Sequence, residues 1–121
     1  MTMTSIEVPA NRDRLAPAAA LFHSLADPAR LAIVQRLARG TARVVDLVGE
    51  LGLAQSTVSA HLSCLRDCGL VDSRAEGRAS VHFLTQPALA DLLSAAETVL
   101  AATGNAVALC PNFGTGAQAA S

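Results

Sequence analysis

The sequence predicts a mainly α-helical domain with one small β-hairpin, and three observations carry that prediction. Apolar residues recur at helical spacing up to Leu65 and again from Leu89 to Leu100. Between these stretches, Val71 to Leu84, the pattern changes to strict alternation on either side of Gly77. Two short helical segments also meet at Gly52, with only Leu53 and Ala54 before the second begins. Paired helices at a tight glycine turn, followed by a hairpin, make a winged helix-turn-helix. The chain of 121 residues suffices for one such domain and not two.

Taken in order, residues 1–10 end in Pro9 and are expected to be a disordered N-terminus. Asn11 is a fair N-cap for a first helix from Arg12 to about Leu25, with Leu15, Ala18, Ala19, Phe22 and Leu25 on its apolar side. Pro17 weakens this helix. Asp27-Pro28 is a strong start signal, a capping carboxylate before a proline at the first helical position. The second helix buries Leu31, Ile33, Val34 and Leu37 and ends by Gly40. Thr41 can cap a third through Leu51, with Val44, Leu47, Val48 and Leu51 inward.

The fourth helix begins at Gln55, and Val58, Leu62 and Leu65 form its buried stripe. Ala54 sits where its N-cap should be and is a poor one, at a cost of about 1 kcal/mol relative to Ser or Thr. Gly69 is a natural residue for leaving the helix, with Leu70 as the apolar residue behind it. The hairpin follows, with Arg74 and Arg78 near its tip. Gln86-Pro87 opens a last helix to about Thr103, whose Leu89, Leu92, Leu93, Ala96, Val99 and Leu100 make a broad apolar stripe. A small domain cannot cover all of that surface, so the first and last helices are expected to form a homodimer interface. Residues 11–103 thus make the DNA-binding and dimerisation domain, and 104–121 a flexible C-terminal tail.

Composition narrows the function. The chain is 51% hydrophobic yet has no Trp or Tyr and three Phe, so its core is built of Leu, Val and Ala. No apolar run reaches the ~18 residues of a membrane span, and no basic-then-apolar leader is present. A cytoplasmic protein without membrane partner is expected. There three cysteines are thiols or metal ligands rather than disulfides. Formal net charge is −1, and all nine basic residues are arginines, none beyond Arg78. Such a local basic patch suits selective binding to one DNA site rather than general coating. No Gly-rich phosphate loop, carboxylate pair or Ser/His/Asp set marks an enzyme.

Two functions are written on the fourth helix. Gln55, Ser56, Thr57 and Ser59 are small or slender polar residues near its start, able to approach base edges and phosphates. His61 can join them in contacting DNA, or serve as a metal ligand. Arg74 and Arg78 on the wing suit phosphate contact. His23 and His82 are isolated and read as structural. Near the other end, Cys64 and Cys68 stand at i, i+4 on one face. Their Cβ atoms are about 5–6 Å apart, and two thiolates at ~2.3 Å from one metal lie within ~4.6 Å of each other. The pair can therefore reach one ion after a rotamer choice.

The segments Leu25-Ala26-Asp27-Pro28-Ala29-Arg30, Gln55 to Leu62 and Glu76-Gly77-Arg78 together resemble the ArsR/SmtB family of winged-helix metal-responsive repressors. The resemblance spans about residues 15–103 and implies a homodimer that leaves an inverted-repeat operator when metal binds. The Cys-x-Cys pair of one branch would fall at Arg43 and Val45 and is absent, and Asp91 lacks the histidines of the zinc-sensing branch. His61 to Gly69, with one further cysteine in the tail, looks like the cadmium- and lead-responsive branch. That likeness implies a metal site of Cys64, Cys68 and Cys110, with Cys110 expected to serve the opposite subunit. Three soft sulfurs suit Cd(II) or Pb(II) better than Zn(II). Arsenite, which also takes three thiolates, remains an alternative inducer, and a thiol-based redox sensor is the other reading of the pair.

Overall fold

The computed structural model describes residues 2–104, with side chains from residue 12 onward. The order is α1 (Thr2–Leu25), α2 (Pro28–Leu37), α3 (Val44–Leu51), α4 (Gln55–Asp67), β1 (Val71–Glu76), β2 (Ala79–Leu84) and α5 (Ala88–Ala102). The mainly helical fold with one hairpin is as the periodicity predicts.

The beginning differs from expectation. α1 runs from Thr2 to Leu25, so Asn11 lies inside the helix instead of capping it. Pro17 lies within this helix, although a proline in a helix interior deletes a hydrogen bond and crowds the preceding turn.

At α2 the start signal reads as written. The Asp27 carboxylate accepts from the backbone N–H groups of Ala29 and Arg30 at 2.8 and 3.1 Å, and Pro28 opens the helix. Those donors, Arg30 foremost, hold the Asp27 carboxyl below its ordinary value, with the charges of His61 and Arg30 adding to the effect against some desolvation.

Thr41 does not cap α3. Arg43 precedes it, and the Asp46 carboxylate accepts the Arg43 backbone N–H at 3.0 Å. Residue 42 is withdrawn from the helix because Ala42 forms an antiparallel bridge with His82: Ala42 N–H donates to His82 C=O at 3.1 Å, and His82 N–H to Ala42 C=O at 2.7 Å. The loop before α3 is thereby tied to the wing.

Leu25, Ile33, Val34, Leu37, Leu47, Val58, Leu62, Leu65, Leu89 and Leu93 pack into one core. The stripe of α4 lies at its centre: Val58 and Leu65 are 0% exposed and Leu62 is 3% exposed. Burying each such side chain contributes on the order of 1.5–3 kcal/mol. The end of α4 is fixed by two reciprocal bonds. Gly69 N–H donates to Arg66 C=O and Leu70 N–H to Leu65 C=O, both at 2.9 Å. With Gly69 at φ +78° this is a Schellman ending, and buried Leu65 and Leu70 supply its apolar contact.

In the hairpin, Val71 pairs with Leu84, Ser73 with His82 and Glu76 with Ala79. The two-residue connection Gly77-Arg78 has φ +65° at Gly77, the first central position, where a type II′ turn favours glycine. This register gives His82 the same face as Val71 and Leu84, and Phe83 the face of Arg74. His82 is consequently 6% exposed, and its Nδ1 has no hydrogen-bond partner.

Burial, reinforced by the charge of Arg66, lowers the His82 pKa below its ordinary 6.5. The folded protein therefore binds its proton less readily than the unfolded chain. Stability should be full above pH 6.5 and fall as pH drops from there toward the depressed folded value. Melting temperatures between about pH 7.5 and 5.5 should show that fall, and His82→Phe, which removes the titration, should flatten it. An unchanged slope in the variant would assign the effect to other groups.

Candidate functional site

Burial of one stripe of α4 leaves its other faces outside. Gln55, Ser56, Ser59, Ala60, Ser63 and Arg66 are exposed, whereas Thr57 is half-buried. Two crevices flank this surface. One, of about 400 Å³, is lined by Arg43, Val44, Val45, Val48 and Gln55 with Ala79 and Ser80 of the wing. The other, of about 190 Å³, lies between Ser59, Leu62, Ser63 and Arg66 of α4, Val44 of α3 and His82 of the wing. Helix and hairpin thus form one surface from Gln55 to Arg66.

Ser63 and Arg66 extend the exposed polar line of Ser59 by one and two turns, at i, i+4, i+7 spacing. Arg66 donates to the Ser73 hydroxyl at 2.9 Å, which holds its guanidinium against β1.

The wing arginines differ. Arg78 stands exposed in the turn. Arg74 lies over the Phe83 ring, 5.4 Å from its centroid, and 3.6 Å from the Glu76 carboxylate. Stacking keeps its guanidinium on the outer face of the hairpin.

His61 does not share the outward face of Gln55 and Ser59. Its side chain is only 19% exposed, with Nε2 3.7 Å from Asp27 Oδ1 and Nδ1 3.5 Å from the Arg30 guanidinium. Arg30 in turn donates through Nε to Ser24 C=O at 2.6 Å and through a terminal nitrogen to His23 C=O at 3.3 Å. The end of α1, the start of α2 and the middle of α4 therefore meet in one polar junction.

Cys64 is half-buried and Cys68 exposed, and both are free thiols. Cys68 occupies the C-cap of α4, and its N–H donates to Cys64 C=O at 3.1 Å, so the thiols sit one helical turn apart. The Cys68 sulfur lies 2.8 Å from the buried Ser24 hydroxyl of α1. Cys110 lies outside the described residues. Among those described, no three His, Cys, Asp or Glu side chains are grouped to hold a metal ion. The two sulfurs fit a soft metal as part of a donor set that needs at least one more ligand.

A surface helix beside a charged hairpin, with apolar helices at the opposite ends of the chain, defines a winged helix-turn-helix transcription regulator. Residues 27–73 match the family model described as bacterial regulatory protein, arsR family. Over 101 residues the chain is 38% identical to the probable mercury resistance operon repressor of Streptomyces lividans, covering 83% of this chain and 81% of that protein. It is 45% identical over 75 residues to the HTH-type transcriptional regulator CmtR of Mycobacterium tuberculosis, covering 62% of this chain and 64% of that one. Among solved structures, the homodimeric winged helix-turn-helix DNA-binding domain Mb0332 from Mycobacterium bovis superposes with a TM-score of 0.66 at 29% identity, over 74% of this chain and 82% of that one. The chain belongs to the ArsR family and is a DNA-binding transcriptional repressor, not an enzyme.

The separation between helix face and wing tip generates a test. Gln55→Ala or Ser59→Ala should weaken binding to the operator by about tenfold while barely changing binding to random DNA, as expected for a lost base contact worth 1–3 kcal/mol. Arg78→Ala should weaken both equally and reduce the salt dependence by about one counterion. Equal losses on both DNAs for the helix variants would remove them from sequence reading.

Proposed function

We propose that the chain represses transcription in the cytoplasm as a homodimer on an inverted-repeat operator, and that a thiophilic metal ion, Cd(II) or Pb(II), releases it by binding Cys64, Cys68 and Cys110. The carrying observation is the position of a half-buried and an exposed thiol one turn apart at the end of the helix whose beginning faces outward. Gln55, Ser56, Thr57 and Ser59 read the operator in this account, and Arg74 and Arg78 hold its phosphates. His61, held at its junction with Asp27 and Arg30, contributes in this account by setting the helix in place.

Dimerisation is supported by apolar surface that the single chain leaves uncovered. Residues 12–20 of α1 are exposed throughout, and Leu15, Phe22 and Val99 are 62%, 58% and 63% exposed. Two-fold symmetry would then present one α4 per half-site. Binding should weaken steeply with salt as arginine–phosphate contacts release counterions, with a protein dimer on DNA by sedimentation. A monomeric complex or a salt-independent affinity would overturn this arrangement.

Bound metal would supply a bond between the end of α4 and the tail. A preference for the DNA-free arrangement by a few kcal/mol suffices to empty the operator. The relative named for mercury resistance supports a soft-metal signal and makes Hg(II) a second ion to try. Cd(II) or Pb(II) should produce a thiolate charge-transfer absorption and release DNA. Cys64→Ser and Cys68→Ser should each abolish both responses while metal-free binding persists. Zn(II) should act more weakly, because three sulfurs leave its tetrahedron incomplete. Release of the double serine variant by Cd(II) would exclude this site, and release by arsenite or oxidant alone would favour those signals instead.

A further inference from the structure

The Ser24 hydroxyl is buried, 3% exposed, and has two neighbours. It donates to Ala20 C=O one turn back in α1 at 2.9 Å, and it stands 2.8 Å from the Cys68 sulfur. A hydroxyl has one proton to give. For both contacts to be hydrogen bonds at once, that proton goes to Ala20, and the Cys68 S–H donates to Ser24 Oγ. The two residues are 44 positions apart and belong to different helices, so this bond ties the end of α4 to α1. Arg30 reinforces the attachment by gripping the backbone carbonyls of Ser24 and His23, and through His61 it returns to α4.

We infer that Ser24 is a positioning residue that holds Cys68 as a hydrogen-bond donor in the metal-free repressor and links occupation of that sulfur to the dimerisation helix. The inference rests on the proposed thiol site. When a soft metal binds Cys68, the sulfur–metal bond replaces the S–H bond and the proton passes to solvent. Ser24 then loses its donor. Its own proton can turn from the Ala20 carbonyl to the sulfur, which has become an acceptor. Metal at α4 thereby changes the hydrogen bonding inside α1, the helix assigned to the subunit interface, and the change reaches both α4 helices of a dimer.

The test has one arm that needs no metal. In full-length protein carrying Cys64→Ser and Cys110→Ser, Cys68 is the sole thiol, and its alkylation by iodoacetamide is timed at fixed pH. A thiol whose proton is engaged is the poorer nucleophile, so Ser24→Ala should speed alkylation by about two- to tenfold, the range of one net hydrogen bond. Ser24→Thr, which keeps the hydroxyl, should restore the slow rate. Alanine is the best helix former, and Ala20 C=O retains its backbone partner, so the melting temperature should stay near that of the parent. In the second arm, with all cysteines present, Ser24→Ala should still show the Cd(II)–thiolate absorption and bind the operator when metal-free. Its ratio of metal-free to Cd(II)-bound affinity should change at least threefold. An alkylation rate unaffected or slowed by Ser24→Ala would overturn the inference whatever metal does. An increased rate with an unchanged affinity ratio would overturn the coupling role. If the parent protein were itself unresponsive to metal, the Proposed function would fail, and the coupling to metal with it, while the alkylation arm would still decide whether Ser24 restrains Cys68.

Discussion

Burial of Val58, Leu62 and Leu65 under α2 and α3 is the constraint on which the rest of the molecule depends. These three side chains fix the rotation of α4 about its own axis. Once they face inward, helical geometry puts Ser59, Ser63 and Arg66 outside, on the side of the wing. The same rotation carries Cys68 to the C-cap beside α1. A recognition helix has to be rigid against its own domain while presenting a polar face, and a fully buried aliphatic stripe provides that rigidity without a demand on the exposed residues.

The two ends of α4 are treated differently. At the C-terminal end the Schellman bonds, Gly69 and the Leu65–Leu70 contact define the stop completely. At the N-terminal end, Ala54 provides no side-chain cap. The first backbone N–H groups of the helix therefore have no side-chain acceptor at the cap, and a DNA phosphate is the sort of anion that such groups bind. In the proposed DNA-reading role of α4, a weakness in local stability at this end would become an attraction for the ligand. At α2, which has no such role, Asp27 satisfies two of the corresponding donors from within the chain.

Much of this was legible in the sequence. Asp27-Pro28, the turn at Gly52, the stripe of α4, its stop at Gly69 and the turn at Gly77 all depend on residues close together in the chain, and each reads through local rules. What escaped depends on pairing at a distance. Ala42 leaves α3 because His82, 40 residues on, supplies both halves of a bridge. His82 is buried because the register with Ser73 turns it inward, which alternation in one strand cannot reveal. His61 meets Asp27, and Ser24 meets Cys68, through the packing of α4 on α1 and α2. At α1 the error was local: Asn11 reads as a plausible cap, yet it lies inside the helix.

A metal signal delivered to the C-terminal end of the recognition helix has a mechanical consequence that a signal at its middle would lack. The buried stripe resists rotation of α4 within the domain, so a ligand at Cys64 and Cys68 cannot readily turn the reading face alone. Leu25, Leu89 and Leu93 join α1 and α5 to the core by apolar packing, and a smaller set of contacts near this end of α4 is polar. They are the Cys68–Ser24 bond and the Asp27–His61–Arg30 junction, which also grips the end of α1. Polar contacts exchange partners within a few tenths of an ångström, whereas packed aliphatic ones yield only by opening space. On the proposed reading, a change at one sulfur would reach α1 through these exchangeable intrachain hydrogen bonds and would alter the separation of the two half-site readers of a dimer. In the proposed account the geometry between subunits is what metal would select, and the operator, with its fixed half-site spacing, is what would detect it.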